Sequence, residues 1–331
     1  MDNLTHTLTG LALSRAGLHR ACPRAAFLMM LAANAPDIDA VSALSGSITY
    51  LQYHRHITHS IAALPLVALL PVVLMRLFSR GPFAWRGAYL ISIAGVASHL
   101  ALDGANQYGV RYLLPFSDRW FSLDAVAVVD LWIWAALLVS VLAPALGTLV
   151  SSEIGGQKNS GRGAAIFALC FLLLYTGARK VLQDRALAEL DSRVYTGGVP
   201  RRTGAFPTAV NPLLWRGVVD GEEFAAVFDV NLLKEFDPHA GQYFYKPKDV
   251  PAIEKIQEAG EFKTFLGFAR FPLWWALPVP GEEGSMLVSA VDLRFASPRR
   301  PGFVATAVVN ARMEVMRPRF EFGTADVRGD Q

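Results

Sequence analysis

Apolar residues run in long blocks through the first half of the chain and in short alternating stretches through the second. Four blocks, residues 60–78, 87–102, 123–150 and 164–182, approach the roughly 20 residues needed to cross about 30 Å of hydrocarbon at about 1.5 Å per residue. The third is the least ambiguous. Two weaker helices precede them: residues 4–17, short and amphipathic, and residues 23–35, apolar but stopped by Pro36, which has no N–H to donate. These two are expected to form a partly immersed hairpin. Beyond residue 183 the period falls to two, and residues 216–219, 224–230, 286–295 and 303–309 read as strands. Residues 252–268 read as a helix. The pattern predicts a multi-pass α-helical membrane domain (residues 1–183), then a small α+β extramembrane domain (residues 184–331) with an antiparallel sheet.

Composition agrees. The chain has 331 residues, 53% hydrophobic and 18% charged, with mean hydropathy +0.32, against about a quarter charged in soluble domains. A net charge of +3, with no basic run interleaved with aromatics, gives no support for nucleic-acid binding. Cys22 and Cys170 make no CxxC or zinc-ribbon pattern, and no disulfide between them is expected. The first residues lack the basic region of a cleavable signal peptide. Basic residues concentrate in three short connections: Arg15, Arg20 and Arg24; Arg76, Arg80 and Arg86; Lys158 and Arg162. If these face the cytoplasm, the other helix ends face outward, together with the C-terminal domain. Arg179 and Lys180 run against that orientation.

The polar residues left in the membrane half gather at the ends away from those loops. They are His6, Asp37, Asp39, His54, His59, His99, Asp103 and Asp124. Asp37 and Asp39 follow the helix-stopping Pro36, and two close carboxylates call for a cation, a shared proton or water. His54, His56 and His59 fall within six residues, with Arg55 between them. Imidazoles are common ligands for zinc-like ions, and a guanidinium fork suits phosphate. His99 and Asp103 stand at i, i+4 on one helical face, where Asp103 is either a ligand or an orienting partner. Asp130 is expected about six residues inside an apolar helix, facing the bundle. His56 is a weak candidate; His19 and His239 lie elsewhere. Each element alone also has a plain structural reading, as cap, headgroup contact or interhelical hydrogen bond. Their shared face is what favours chemistry.

Such a set suits one or two divalent ions, with zinc the first choice ahead of manganese or iron. A bound ion would activate water and polarise a phosphoryl or carbonyl oxygen. Asp37, Asp130 and Arg55 are the candidate catalytic residues, as base and phosphate-steadying group. No GxSxG, HExxH or P-loop occurs.

These segments also resemble a known family. Residues 3–6, the run Asn34-Ala35-Pro36-Asp37-Ile38-Asp39, His54-Arg55 with Thr58-His59-Ser60, Ser98-His99 with Asp103, and Phe121-Ser122-Leu123-Asp124 with Asp130 are similar to the YdjM/YbcI-like family. That family comprises predicted membrane-bound metal-dependent hydrolases, also described as LexA-binding and inner-membrane-associated. The resemblance covers roughly the first 180 residues, and the segment from Phe206 to Trp215 resembles the domain that follows in some members. His56 stands where the family pattern has a small residue. The resemblance implies an inner-membrane hydrolase, with phospholipase-like action at the headgroup layer. It gives no reason to expect DNA binding.

Three functions compete. One is a metal-dependent hydrolase acting on phosphoester or acyl bonds of a lipid-like or small-molecule substrate, with membrane lipids as surroundings. Trp215, Trp274 and Trp275 would be available to touch lipid, although tryptophans in a sheet more often pack inward. The second is a non-enzymatic scaffold or a metal-binding or transport protein. Transport would favour polar residues continuing to the basic face, and few do. The third is a degenerate enzyme whose polar residues serve only as glue.

Overall fold

Asp2 opens the first helix. Its carboxylate accepts from the Thr5 N–H at 3.0 Å and the Thr5 hydroxyl at 2.6 Å, capping α1 (Asn3–Ala16). The computed structural model describes residues 1–153, 161–196, 198–299 and 302–322. The chain continues through α2 (Ala25–Ala32), a 3-10 segment (Ala35–Ser45), α3 (Ser47–Tyr53), a 3-10 turn (Ile57–His59), α4 (Leu64–Val67), α5 (Leu69–Leu77), α6 (Trp85–Ala105), α7 (Leu131–Glu153) and α8 (Arg162–Asp191). It divides into two compact units. The first holds Met1–Asp39, Arg55–Gln183 and Pro207–Pro212; the second holds Ala40–His54, Asp184–Phe206 and Leu213–Gln331.

In the first unit, small residues bring the helices close. A Cβ on Gly10 of α1 would lie 2.6 Å from the Met29 carbonyl oxygen of α2, and one on Gly95 of α6 would lie 2.7 Å from the Ala32 side chain. Leu28, Met29, Val72, Ala88 and Ile91 fill one core cluster; Leu8, Ala12, Leu102, Ile133, Leu137 and Ala168 fill another. Much of α8 remains uncovered, with Phe167, Leu173 and Leu174 at least 65% exposed. Apolar side chains at that exposure suit hydrocarbon rather than water.

Among the described residues α6, α7 and α8 are long and apolar enough to cross a membrane, and two bent helix pairs raise the number to five if each is one span. The expected span over residues 60–78 is not one helix. Pro65 sits at the start of α4 and Pro71 in the first turn of α5, so the run is interrupted there. The helix expected over 123–150 begins only at Leu131. Residues 123–126 run outside any helix, tied to the end of α6 by Leu123 N–H to the Gly104 carbonyl (2.8 Å) and Ala125 N–H to that of Ala105 (3.0 Å). Arg179, fully buried on α8, also donates to the Ala125 carbonyl at 3.1 Å. Cys22 and Cys170 are free thiols. Lys158, one of the expected loop cations, lies outside the described residues.

The second unit contains two antiparallel four-stranded sheets rather than one. The first runs β1 (Arg202–Pro207), β2 (Leu214–Asp220), β3 (Phe224–Asn231), β4 (Gln242–Tyr245); the second runs β5 (Pro272–Pro278), β6 (Met286–Asp292), β7 (Val304–Val309), β8 (Val315–Glu321). Phe206, Val218, Ala225, Leu273, Val291 and Val304 form a core shared by both sheets. Arg216 of β2 donates to the Leu293 and Ala296 carbonyls at 2.8 and 2.7 Å. The helix expected over 252–268 is two, α9 (Pro251–Gln257) and α10 (Gly260–Phe268), because Ala259 between them is extended. Trp215 is wholly buried, so it is a core residue rather than a lipid contact.

Candidate metal centre

Three segments of the first unit converge. The chain leaving α2 turns at Asn34, whose side-chain amide donates to the Met30 carbonyl (2.8 Å) and the Thr7 hydroxyl (2.9 Å). The buried Pro36 then sends Asp37 and Asp39 into a 3-10 segment. Arg55 takes the left-handed conformation, φ +56°, which turns the chain ahead of the Ile57–His59 turn. The last turns of α6 carry His99 and Asp103 on one face.

Nε2 of His59 and Nε2 of His99 are 3.0 Å apart. Oδ1 of Asp37 lies 3.4 Å from the first and 3.5 Å from the second. Oδ2 of Asp103 is 3.4 Å from each. One atom from each of the four residues thus falls within 4.8 Å of all the others. A tetrahedral ion with bonds of about 2.0–2.1 Å places its ligands about 3.3–3.4 Å apart, and the four imidazole–carboxylate spacings of 3.4–3.5 Å lie close to that.

The outer atoms aim the inner ones. Nδ1 of His99 is 2.7 Å from the Ala33 carbonyl oxygen, and Nδ1 of His59 is 3.1 Å from Oδ2 of Asp39. With the ring protons on Nδ1, both Nε2 atoms carry lone pairs and face one another. Oδ2 of Asp103, buried, has no hydrogen-bond partner among the described residues. Two opposed lone pairs beside an unsatisfied carboxylate oxygen are costly unless a positive charge lies between them. The donor set therefore fits a divalent cation, and the outer contacts are the kind that fix imidazole orientation around metals.

Arg55 holds the back of the site. Its guanidinium pairs with Oδ1 of Asp103 at 3.0 Å and donates to Asn106 Oδ1 (3.2 Å) and the Gly109 carbonyl (3.0 Å), with Tyr108 stacked 4.6 Å away. The Met1 amine also donates to Oδ1 of Asp103. Arg55 is thus paired with a protein carboxylate in this structure.

The other predicted residues fall around or away from this set. Asp39 stands behind His59, also accepting from the Thr58 hydroxyl at 2.6 Å and the Arg55 N–H at 3.0 Å. His6 is fully buried and stacked on His99 with centroids 3.7 Å apart; its Nε2 is 3.4 Å from Oδ1 of Asp103. His54, outside the four-atom set, stands in a second group of possible ligands and is stacked on Tyr50 at 4.5 Å. Asp124 takes φ +52° and is bonded by the Ser122 hydroxyl, outside the four-atom set.

Asp130, expected inside a helix, instead precedes one. It accepts from the N–H groups of Trp132 (3.1 Å) and Ile133 (3.3 Å) and from the Tyr175 hydroxyl (3.3 Å), capping α7. Burial raises its carboxyl above the usual range, opposed by the helix N–H groups and the nearby Arg179.

Sequence reasoning did not single out Thr58, Ala33 or Asn106 as parts of the site. The Ala33 carbonyl has no side-chain signal at all. Asn106 had one, since it stands three residues beyond Asp103, where it reaches the same guanidinium.

The comparisons with known proteins bear on the same half of the chain. A family model described as YdjM inner membrane protein matches residues 1–186. The Bacillus subtilis (strain 168) protein described as "Uncharacterized protein YfhP" is 31% identical over 150 residues, which are 43% of this chain and 45% of that protein. The chain thus spans about half the length of that curated relative. No solved structure matches it. With the family match running over more than half its residues and containing all four clustered donors, this chain belongs to the YdjM inner membrane protein family.

Proposed function

We propose that this protein is a membrane-bound, metal-dependent hydrolase acting on a phosphoester or acyl bond of a lipid-like substrate. The reading includes a multi-pass inner-membrane domain over residues 1–183 and an extramembrane domain over residues 184–331 on the outer side. The observation that carries it is the four-atom set of Asp37, His59, His99 and Asp103, buried at the end of an apolar helix and spaced for one ion.

Asp37, His59, His99 and Asp103 would hold the ion. Zinc is the first choice, because a mixed imidazole and carboxylate set with spacings near 3.4 Å suits its bond lengths. Such an ion supplies Lewis acidity, activating water and polarising a phosphoryl or carbonyl oxygen. Asp39 and the Ala33 carbonyl keep the imidazoles aimed. Arg55 holds one oxygen of Asp103 so that the other faces inward. Asp37 is the most exposed of the four, its side chain 10% accessible against 0–1% for the rest. It is the corner through which substrate would approach, and the carboxylate placed to take a proton there. Ile38, Ile57 and Ile61, neighbours of the donors in sequence, are exposed at 57, 42 and 59%. An apolar border beside buried charge favours an acyl-bearing substrate over a small hydrophilic one.

A second reading has its own support. Four protein donors around one ion leave no open position, as in structural zinc sites. The site would then staple the membrane helices, or hold metal without turnover.

Elemental analysis of detergent-purified protein, paired with hydrolysis assays on phospholipids and simple phosphodiesters, separates the two. The hydrolase reading expects bound metal and turnover in the wild type and neither in His59→Ala or Asp103→Ala. Stoichiometric metal without turnover on any substrate supports the structural reading. Equal activity in all three proteins defeats the mechanism.

A further inference from the structure

A second polar feature lies among the basic connections of the first unit and takes no part in the metal centre. Cys22, Pro23, Arg24, Ser79, Arg80 and Phe83 are among the residues lining a cavity of about 230 Å³. Arg24 and Arg80 are exposed there, and neither has an ion-pair partner among the described residues. Residues 13–27 and 76–89 contain no Asp or Glu, while carrying Arg15, Arg20, Arg24, Arg76, Arg80 and Arg86. Two unneutralised guanidiniums at one cavity favour an anion with several oxygens, which is the chemistry of a phosphate.

The surroundings say which phosphate. The residue after this lining is Trp85, where the membrane-length helix α6 begins, so the cavity stands at the end of a span. Phe83 and Trp85 pack edge to face at 4.9 Å, and such aromatics favour the headgroup layer. Leu77 and Phe78, immediately before Ser79, are 75 and 77% exposed. A cavity that offers two guanidiniums amid apolar side chains matches an amphiphile, which a free phosphate ion is not. The floor is fixed. A Cβ on Gly87 would fall 2.1 Å from the Ala21 carbonyl oxygen, so the start of α6 lies directly on the backbone of the 17–24 connection. Arg24 is held in the left-handed conformation, φ +58°, a costly state for a non-glycine residue.

We infer that the Arg24–Arg80 cavity binds the phosphate of an anionic phospholipid at the basic end of the membrane helices. The site is separate from the metal centre and does not depend on hydrolysis.

The test is native mass spectrometry of the full chain released from nanodiscs holding equal phosphatidylglycerol and phosphatidylcholine. Wild type should retain phosphatidylglycerol in preference to phosphatidylcholine. Arg24→Gln/Arg80→Gln should lose roughly 25-fold of that preference, and Arg80→Gln alone, in a surface loop, roughly fivefold. Lys234→Gln/Arg312→Gln removes the same charge from the second unit and should behave as wild type. An unchanged thermal midpoint in detergent reports that each variant is folded. The inference is overturned if wild type shows no preference, if the arginine variants keep it, or if the Lys234/Arg312 variant loses as much. Displacement of the lipid by millimolar inorganic phosphate would also overturn it, because the site would then take free phosphate.

Discussion

Asp39 stands behind His59, its Oδ2 3.1 Å from the ring nitrogen that points away from the cluster. That contact sets which nitrogen of His59 is left to bind. Asp39→Asn keeps the shape but forfeits the charge that favours the Nδ1 proton. Metal affinity should fall about 10–100-fold, the usual cost of removing such an orienting group. A titration against a competing chelator checks it, and an unchanged affinity would mean that Asp39 does not orient the ring.

Removing a donor should do more. Asp103→Ala takes away an inward-facing oxygen and leaves Arg55, 3% exposed, without its carboxylate. We expect loss of stoichiometric metal and destabilisation of about 3–5 kcal/mol, the usual cost of breaking a buried ion pair by removing one partner. Asp103→Asn, which retains the shape, separates the two effects: metal is lost, but less stability. Retention of one ion per chain in either variant would remove Asp103 from the ligand set.

Asp130 has a different prediction from the donors. As the cap of α7 it contributes about 1 kcal/mol. Asp130→Ala should lower the thermal midpoint while leaving metal content intact, and activity per bound metal should match wild type. A collapse of activity at full metal occupancy would assign it a role in the chemistry.

Two glycines on long helices should respond oppositely to alanine. At Gly87 a new Cβ would meet the Ala21 backbone oxygen at 2.1 Å, so Gly87→Ala should cost about 1–3 kcal/mol. At Gly147 on α7 nothing lies within 4 Å, and alanine's higher helix propensity should give a neutral or stabilising change of up to about 1 kcal/mol. Chemical denaturation of both variants in detergent measures the pair, and a stable Gly87→Ala protein would contradict the close packing of α6 on the 17–24 connection.

The long helices were readable because apolar runs of membrane length leave few alternatives. The runs failed where prolines or capping carboxylates interrupt them. Pro65 and Pro71 sit in a stretch whose hydropathy hides them, and Asp130 reads as a residue within a helix until the N–H groups it accepts from are seen. At the centre, residue type and shared helix ends drew attention to Asp37, His59, His99 and Asp103. Nothing in the sequence told which carboxylate faces in and which stands behind. Asp37 and Asp39 have the same chemistry two residues apart, and only the turn after Pro36 separates them. Arg55 was legible as a cation beside the site, but its attachment to Asp103 depends on a left-handed backbone that sequence does not announce.

The clustered donors come from positions 37, 59, 99 and 103, and the last two ride at the far end of α6. A nascent chain that has inserted only its first helices therefore owns half a coordination sphere. Asp37 and His59 would wait for their partners until the final turn of α6 has emerged and docked. If the four hold an ion, tight loading would follow insertion, and the ion would tie together stretches that left the ribosome more than sixty residues apart.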